Sequence, residues 1–294
     1  MRVRTQGSAL FSVVCLALCI GNAPARAEAR LNAHFKISMV GVSIGQLSWT
    51  VDIGAGNYTT AANGKASGAL SVLVNGEGRV ATRGIIDSDR LRPTFFSANL
   101  TEDGEVAGLQ MTFENGGVKT LRMDTPPKKD GRIPVGEADR RNVADPLSAM
   151  LIVAPPGENN APVPSHCERV LSIFDGQRRY DLVLSFKRLD VLKVDAGYAG
   201  PVLVCAVVLK PIAGYRADSA LVKYVGGKSD MEIWFAPITG TLIIAPARLV
   251  MPTMIGTLEI AADRFEVTAL KSPGIAPGTA LPPPVAPIPA EPAK

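Results

Sequence analysis

The chain has 294 residues, 47% of them hydrophobic and 20% charged, with 31 Lys and Arg against 27 Asp and Glu for a formal net charge of +4. That balance excludes a nucleic-acid binder of the strongly basic kind, which needs a clustered positive field, while the apolar content is ample for a packed core. No stretch beyond residue 27 runs to about eighteen apolar residues without a charge or a proline, so no transmembrane helix is expected in the product.

Residues 1–27 show the three parts of a secretory signal: basic Arg2 and Arg4, an apolar run over 9–20, and Ala23-Pro24-Ala25-Arg26-Ala27. Cleavage is expected after Ala27, with export to the periplasm. Leu16-Ala17-Leu18-Cys19 is a poor lipoprotein signal, because bulky Leu18 stands where a small residue is needed. Processing removes Arg2, Arg4 and Arg26 and no acid, which leaves 28 basic against 27 acidic side chains. Cys15 and Cys19 depart as well, so Cys167 and Cys205 are the cysteines of the product.

From there the chain is written in period two. Leu47, Trp49, Val51 and Ile53 are apolar while Ser48, Thr50 and Asp52 face the other way, the pattern of a half-buried strand. Leu109, Met111 and Phe113 repeat it, and Asn75-Gly76 and Asn115-Gly116-Gly117 supply the positive φ of tight hairpin turns. A helical segment is predicted over about 135–153, with Asp145 as N-cap, Pro146 at the first helical position, and Leu147, Met150 and Leu151 on one face. Pro146 also permits two shorter pieces. Asp139, Arg140, Arg141 and Asp145 read as its solvent face. Strand patterns resume at Tyr180, Leu182, Leu184 and Phe186, then Met231, Ile233 and Phe235, then Leu258, Ile260 and Ala262, with turns at Asp175-Gly176 and Gly226-Gly227.

The expected fold class is therefore all-β and mainly antiparallel: a strongly bent sheet or open β-barrel with one short helical segment against its apolar face. The expected layout is a signal peptide over 1–27 and a single β domain over 28–271. Its two strand blocks, about 29–125 and 166–270, are joined by the helical segment, and a disordered proline-rich tail follows over 272–294.

Cys167 and Cys205 are expected to form a disulfide in an oxidising compartment, closing a loop worth on the order of 4 kcal/mol by chain entropy. Gly41-Val42-Ser43-Ile44-Gly45 fits the G-x-S-x-G nucleophile elbow in letters only, since a strand pattern rather than a helix follows it. His34 and His166, the two histidines, lack companion ligands at metal-binding spacing. Glu102, Asp103 and Glu105 read as a solvated turn, and Lys128-Lys129-Asp130-Gly131-Arg132 as a solvated loop. No catalytic, cofactor-binding or metal-binding residue is expected, and the chain is not read as an enzyme.

Asp145-Pro146-Leu147-Ser148-Ala149, Cys167, then Phe174-Asp175-Gly176-Gln177-Arg178-Arg179-Tyr180-Asp181-Leu182, Cys205, Pro211-Ile212-Ala213-Gly214-Tyr215 and Ile233-Trp234-Phe235 form an ordered set of short motifs. In these the chain resembles, from about Phe35 to Phe265, the bacterial domain-of-unknown-function family numbered 3108 in its alphaproteobacterial form. The resemblance implies an exported protein of a Gram-negative envelope, mainly antiparallel, with no assigned activity and no catalytic residues to carry over. Arg178 and Arg179 are read as strand-start arginines facing solvent.

Two readings of function stay open. In one, the concave face of the bent sheet binds an apolar or lipid-like ligand. In the other, the domain is a structural or interaction module of the envelope, meeting a protein partner through a sheet edge or the proline-rich tail.

Overall fold

The computed structural model describes residues 28–66, 76–102, 105–125, 131–155, 162–216, 218 and 230–270. The segments read above as a signal (1–27) and a tail (272–294), and those holding Asn75, Asp103, Lys128 to Asp130 and Gly226-Gly227, lie outside the described residues.

In chain order the strands are β1 (Ala29–Met39), β2 (Val42–Ile53), β3 (Asn57–Ala66), β4 (Gly76–Ile86), β5 (Leu91–Glu102), β6 (Glu105–Glu114) and β7 (Gly117–Met123). After the single helical turn α1 (Pro146–Ala149) come β8 (Ile152–Val153), β9 (Arg169–Phe174), β10 (Arg179–Lys193), β11 (Ala196–Gly197), β12 (Ala199–Ala213), β13 (Met231–Pro237), β14 (Ile243–Thr253) and β15 (Gly256–Ala269). They form one sheet in the order β7-β6-β5-β4-β3-β2-β1-β15-β14-β13-β12-β10-β9, with β11 against β15 and β8 against β14. Every neighbour in that path is antiparallel, as hairpin turns between successive strands dictate. The first strand and the last pair centrally, Leu31 facing Val267, which joins the two blocks.

Period-two burial follows from the pleat. Leu31, Ala33 and Phe35 of β1 and Trp49, Val51 and Ile53 of β2 turn inward, and so do Tyr58 of β3, Val204 of β12, Trp234 and Ala236 of β13 and Phe265 of β15. The middle of the concave face is thus filled. The Trp49 indole Nε1 donates to Thr60 Oγ1 at 2.5 Å, so its polar atom is satisfied inside the core. A second cluster lies on the opposite face of the C-terminal half: Leu184, Leu203, Val207, Met231, Ile233 and Phe235 pack with both cysteines. Cys167 ends a 3-10 turn over Pro164–Cys167 and is bonded to Cys205 of β12, with Cα atoms 5.5 Å apart. That bond fixes the turn against the sheet's outer cluster. β13 is consequently buried on both faces, which simple alternation does not anticipate.

The linker departs most from expectation. Instead of a helix over 135–153 there is one 3-10 turn over Ala138–Arg140 and one α-turn over Pro146–Ala149. The reason is local: Pro146 cannot accept a preceding helix, Asp145 is extended, and Asn142 has φ +52. The N-cap reading survives on this shorter element, since Asp145 accepts from the backbone N–H groups of Leu147 and Ser148 at 3.0 Å each.

Candidate functional site

The sheet is not closed by strand pairing, because β7 and β9 are its two ends. The linker stands between them. Arg141 bridges Gly117, the Val143 N–H donates to the Gly116 carbonyl at 3.1 Å, and the Ala144 N–H donates to the Ser172 carbonyl at 2.9 Å. Phe174 returns a bond to the Ala144 carbonyl at 3.0 Å. The chain then dives inward through α1, sends Leu151 and Val153 into the core, and pairs Ile152 and Val153 with β14. One segment thereby touches both ends of the sheet and its middle. The β9–β10 turn closes in as well: Gly176, at φ +99, lies so near Leu109 of β6 that a Cβ there would sit 2.5 Å from the leucine Cδ2.

What anchors α1 is a buried polar knot. Asp145, 0% exposed, places Oδ1 on the two cap N–H groups, while Oδ2 accepts from Ser148 Oγ at 2.5 Å and Thr82 Oγ1 at 3.0 Å. Tyr58 Oη lies 2.6 Å from Ser148 Oγ, and Thr82 shares its one hydroxyl proton between Asp145 Oδ2 and the Phe95 carbonyl, 2.8 Å away, so β3, β4 and β5 all meet at the helical turn. Burial is the largest influence on the Asp145 carboxyl and raises its pKa, and the hydrogen bonds from Ser148, Thr82 and Leu147 oppose that. Burial likewise raises the Tyr58 phenol. Asp145 was expected on a solvent face; the structure corrects this, because the cap geometry turns its carboxylate toward the core.

Beside this knot a cleft of about 380 Å³ opens along the seam. One wall is apolar, made by Leu91, Phe113, Val143, Ala149, Leu151, Val153 and Leu171, and the rim is polar, with Asp89, Arg90, Arg92, Asn115, Asn142 and Arg169. Arg90 is held by Asp89 at 3.1 Å and Arg92 by Asp87 at 2.8 Å. Arg169 is different. Its Nε is buried without a hydrogen-bond partner, and among the described residues no carboxylate lies within ion-pair distance of its guanidinium. Burial lowers its pKa, a sign that its charge has lost water, and Asp89 offsets that in part. Its charge also helps depress the pKa of His166, after burial.

Of the residues singled out in the sequence, Cys167 and Cys205 are brought together as a disulfide. Ser43 is an exposed residue of β2 paired with Ser38, and no helix follows it, so the geometry is not that of a nucleophile elbow. His34 Nδ1 contacts Asp263 at 2.6 Å on the outer face, and His166 Nδ1 accepts from the Val163 N–H at 3.4 Å on the 3-10 turn. Among the described residues no three His, Cys, Asp or Glu side chains converge as a metal site would require. Arg178 is exposed and stacks over Tyr215 at 5.8 Å, whereas Arg179 is a correction: it is only 11% exposed and is bound to Asp181 at 2.7 Å. Glu102 and Glu105 end β5 and begin β6.

Sequence reasoning missed Arg169, Thr82 and Tyr58. Arg169 follows the second block's first cysteine by two positions and obeys no motif. A threonine and a tyrosine at inward strand positions read as ordinary core, and the signal available was that their partner, Asp145, is a cap.

A crystal structure titled as a β-barrel-like protein of the domain of unknown function DUF1849, from Brucella abortus, is similar at 10% identity and a TM-score of 0.46, covering 83% of this chain and 98% of that one. No curated protein matches the chain. The family described as proteins of unknown function, DUF3108, matches residues 32–263, most of the chain, and the protein belongs to it.

Proposed function

We propose that this is an exported, non-catalytic protein of the cell envelope that holds an amphipathic, lipid-like ligand in the seam cleft, with the apolar tail on the Leu151 wall and an anionic head on Arg169. The observation that carries the reading is the cleft itself: about 380 Å³ beside α1, within the range of small-molecule sites. A half-buried guanidinium whose Nε has no partner sits at its mouth. The Arg169 guanidinium lines the cleft with no carboxylate in ion-pair contact among the described residues, so a carboxylate or phosphate oxygen there would gain a charge-assisted hydrogen bond. The filled concave face moves the ligand from the centre of the bent sheet to its seam. Titration with a fluorescent fatty acid tests this. Saturable uptake is expected, with at least a tenfold loss in Arg169→Ala and in Val170→Trp, whose exposed side chain would fill the mouth. Absence of uptake, or uptake indifferent to both changes, rejects the reading.

A second reading, a protein-interaction module, rests on β7, whose outer side from Val118 to Met123 has no strand beside it among the described residues. An extended peptide adding to that edge would be lost on Met123→Pro, since the neighbouring Asp124 N–H bonds inward to the Gly108 carbonyl and the Met123 N–H therefore points outward.

A further inference from the structure

The two hairpin turns at the centre of one end of the sheet are apolar where turns are ordinarily polar. Val40 and Gly41 link β1 to β2, and Met254 and Ile255 link β14 to β15. Val40 is 64% exposed, Val42 57%, Met254 63% and Ile255 76%. The turns touch: the Val40 N–H donates to the Thr257 carbonyl at 2.9 Å, and a Cβ on Gly256 would lie 2.2 Å from Val40 Cγ2.

The backbone makes this costly for the fold. Val40 and Gly41 have φ +51 and +78, the pair of positive values of a type I′ turn. A β-branched residue suits the first of these positions badly. The β6–β7 turn supplies an internal comparison, because Asn115 and Gly116 take φ +52 and +77 with the residue the turn prefers. The same backbone conformation therefore carries asparagine in one hairpin and an exposed, strained valine in the other. Strain kept at a side chain that touches only the Gly256 backbone on one side and is otherwise exposed points to a use for that side chain outside the fold.

We infer that this tip inserts into the surface of a lipid bilayer. Charge selects the occupant: no charged residue occurs from Ile37 to Val51 or from Leu249 to Leu258, the stretches flanking the two turns. The four side chains expose on the order of 400 Å², about half of what each partner buries in a standard protein interface, yet enough to wedge among acyl chains. The inference does not depend on the cleft.

The test uses the chain from Glu28 onward, which holds every strand of the sheet, with phosphatidylcholine vesicles and cosedimentation at low and high salt. Partitioning is expected to be indifferent to salt and to fall at least tenfold in Val40→Asn/Ile255→Asn. Val40→Asn alone is expected to raise the melting temperature while weakening partitioning, which separates the tip's role from folding. Several results would overturn the inference: equal partitioning of the double variant, partitioning confined to anionic vesicles and abolished by salt, or a lower melting temperature for Val40→Asn. A solution dimer dissolved by Ile255→Asn would also overturn it, in favour of a second copy of the chain.

Discussion

Replacing Asp145 by alanine probes the knot that holds the seam. The substitution removes the acceptor for the Leu147 and Ser148 N–H groups and for the Ser148 hydroxyl, all inside a buried network, while Thr82 keeps its bond to the Phe95 carbonyl. Loss of a cap costs about 1 kcal/mol, and each buried donor left without an acceptor adds about 1–3 kcal/mol. With the released segment relaxing toward water, the net loss should be about 3–5 kcal/mol, a large part of the roughly 5–15 kcal/mol of a typical domain. Asp145→Asn keeps a carbonyl oxygen for the two cap N–H groups and should cost about 1 kcal/mol. Urea unfolding followed by tryptophan fluorescence reads both variants, because Trp49 and Trp234 belong to the core that α1 abuts. An alanine variant less than about 1 kcal/mol below the parent, or an asparagine variant as damaged as alanine, would refute the knot as an anchor.

The same carboxyl carries a pH signature. Because its folded pKa is raised, the folded chain keeps the proton longer than the unfolded chain, so this group's contribution falls as pH climbs from the unfolded value of about 3.9 toward the folded one. Asp145→Asn should lack that decline. Glu232 runs the opposite way: its bonds to Arg188 lower it to about 2, aided by Lys187 and Trp234, so its contribution is present above about 4.3 and is lost as pH falls toward 2. Glu232→Gln should therefore be destabilised by about 2 kcal/mol at neutral pH, with the gap to the parent closing in acid; a pH-independent gap contradicts the assignment. Reduction of Cys167–Cys205 should lower stability by about 4 kcal/mol, read by melting with and without reductant, and an unchanged transition would show the 3-10 turn to be held by packing alone.

Much of the scaffold was legible because period two is a direct image of the pleat. Leu47, Trp49, Val51 and Ile53 line one face of β2, and Asn115-Gly116 and Asp175-Gly176 fall where β6–β7 and β9–β10 turn. The linker was misread because Leu147, Met150 and Leu151 satisfy helical spacing over a single turn, and spacing alone does not reveal that the flanking residues bond to strand ends instead of to each other. Phe186 shows a related limit: the register shifts between Phe186 and Arg188, leaving a residue read as core 39% exposed. The site was the least legible part. Arg169, Asn142 and Phe113 come from three separate segments, and only the closure of β7 toward β9 makes them neighbours.

Native mass spectrometry of the protein, purified gently from its own cells, tests the central claim most directly. A retained amphipathic anion is expected, with the adduct lost in Arg169→Ala while the fold persists by circular dichroism. A bare polypeptide mass that stays bare after incubation with fatty acids and phospholipids would contradict a ligand-holding cleft.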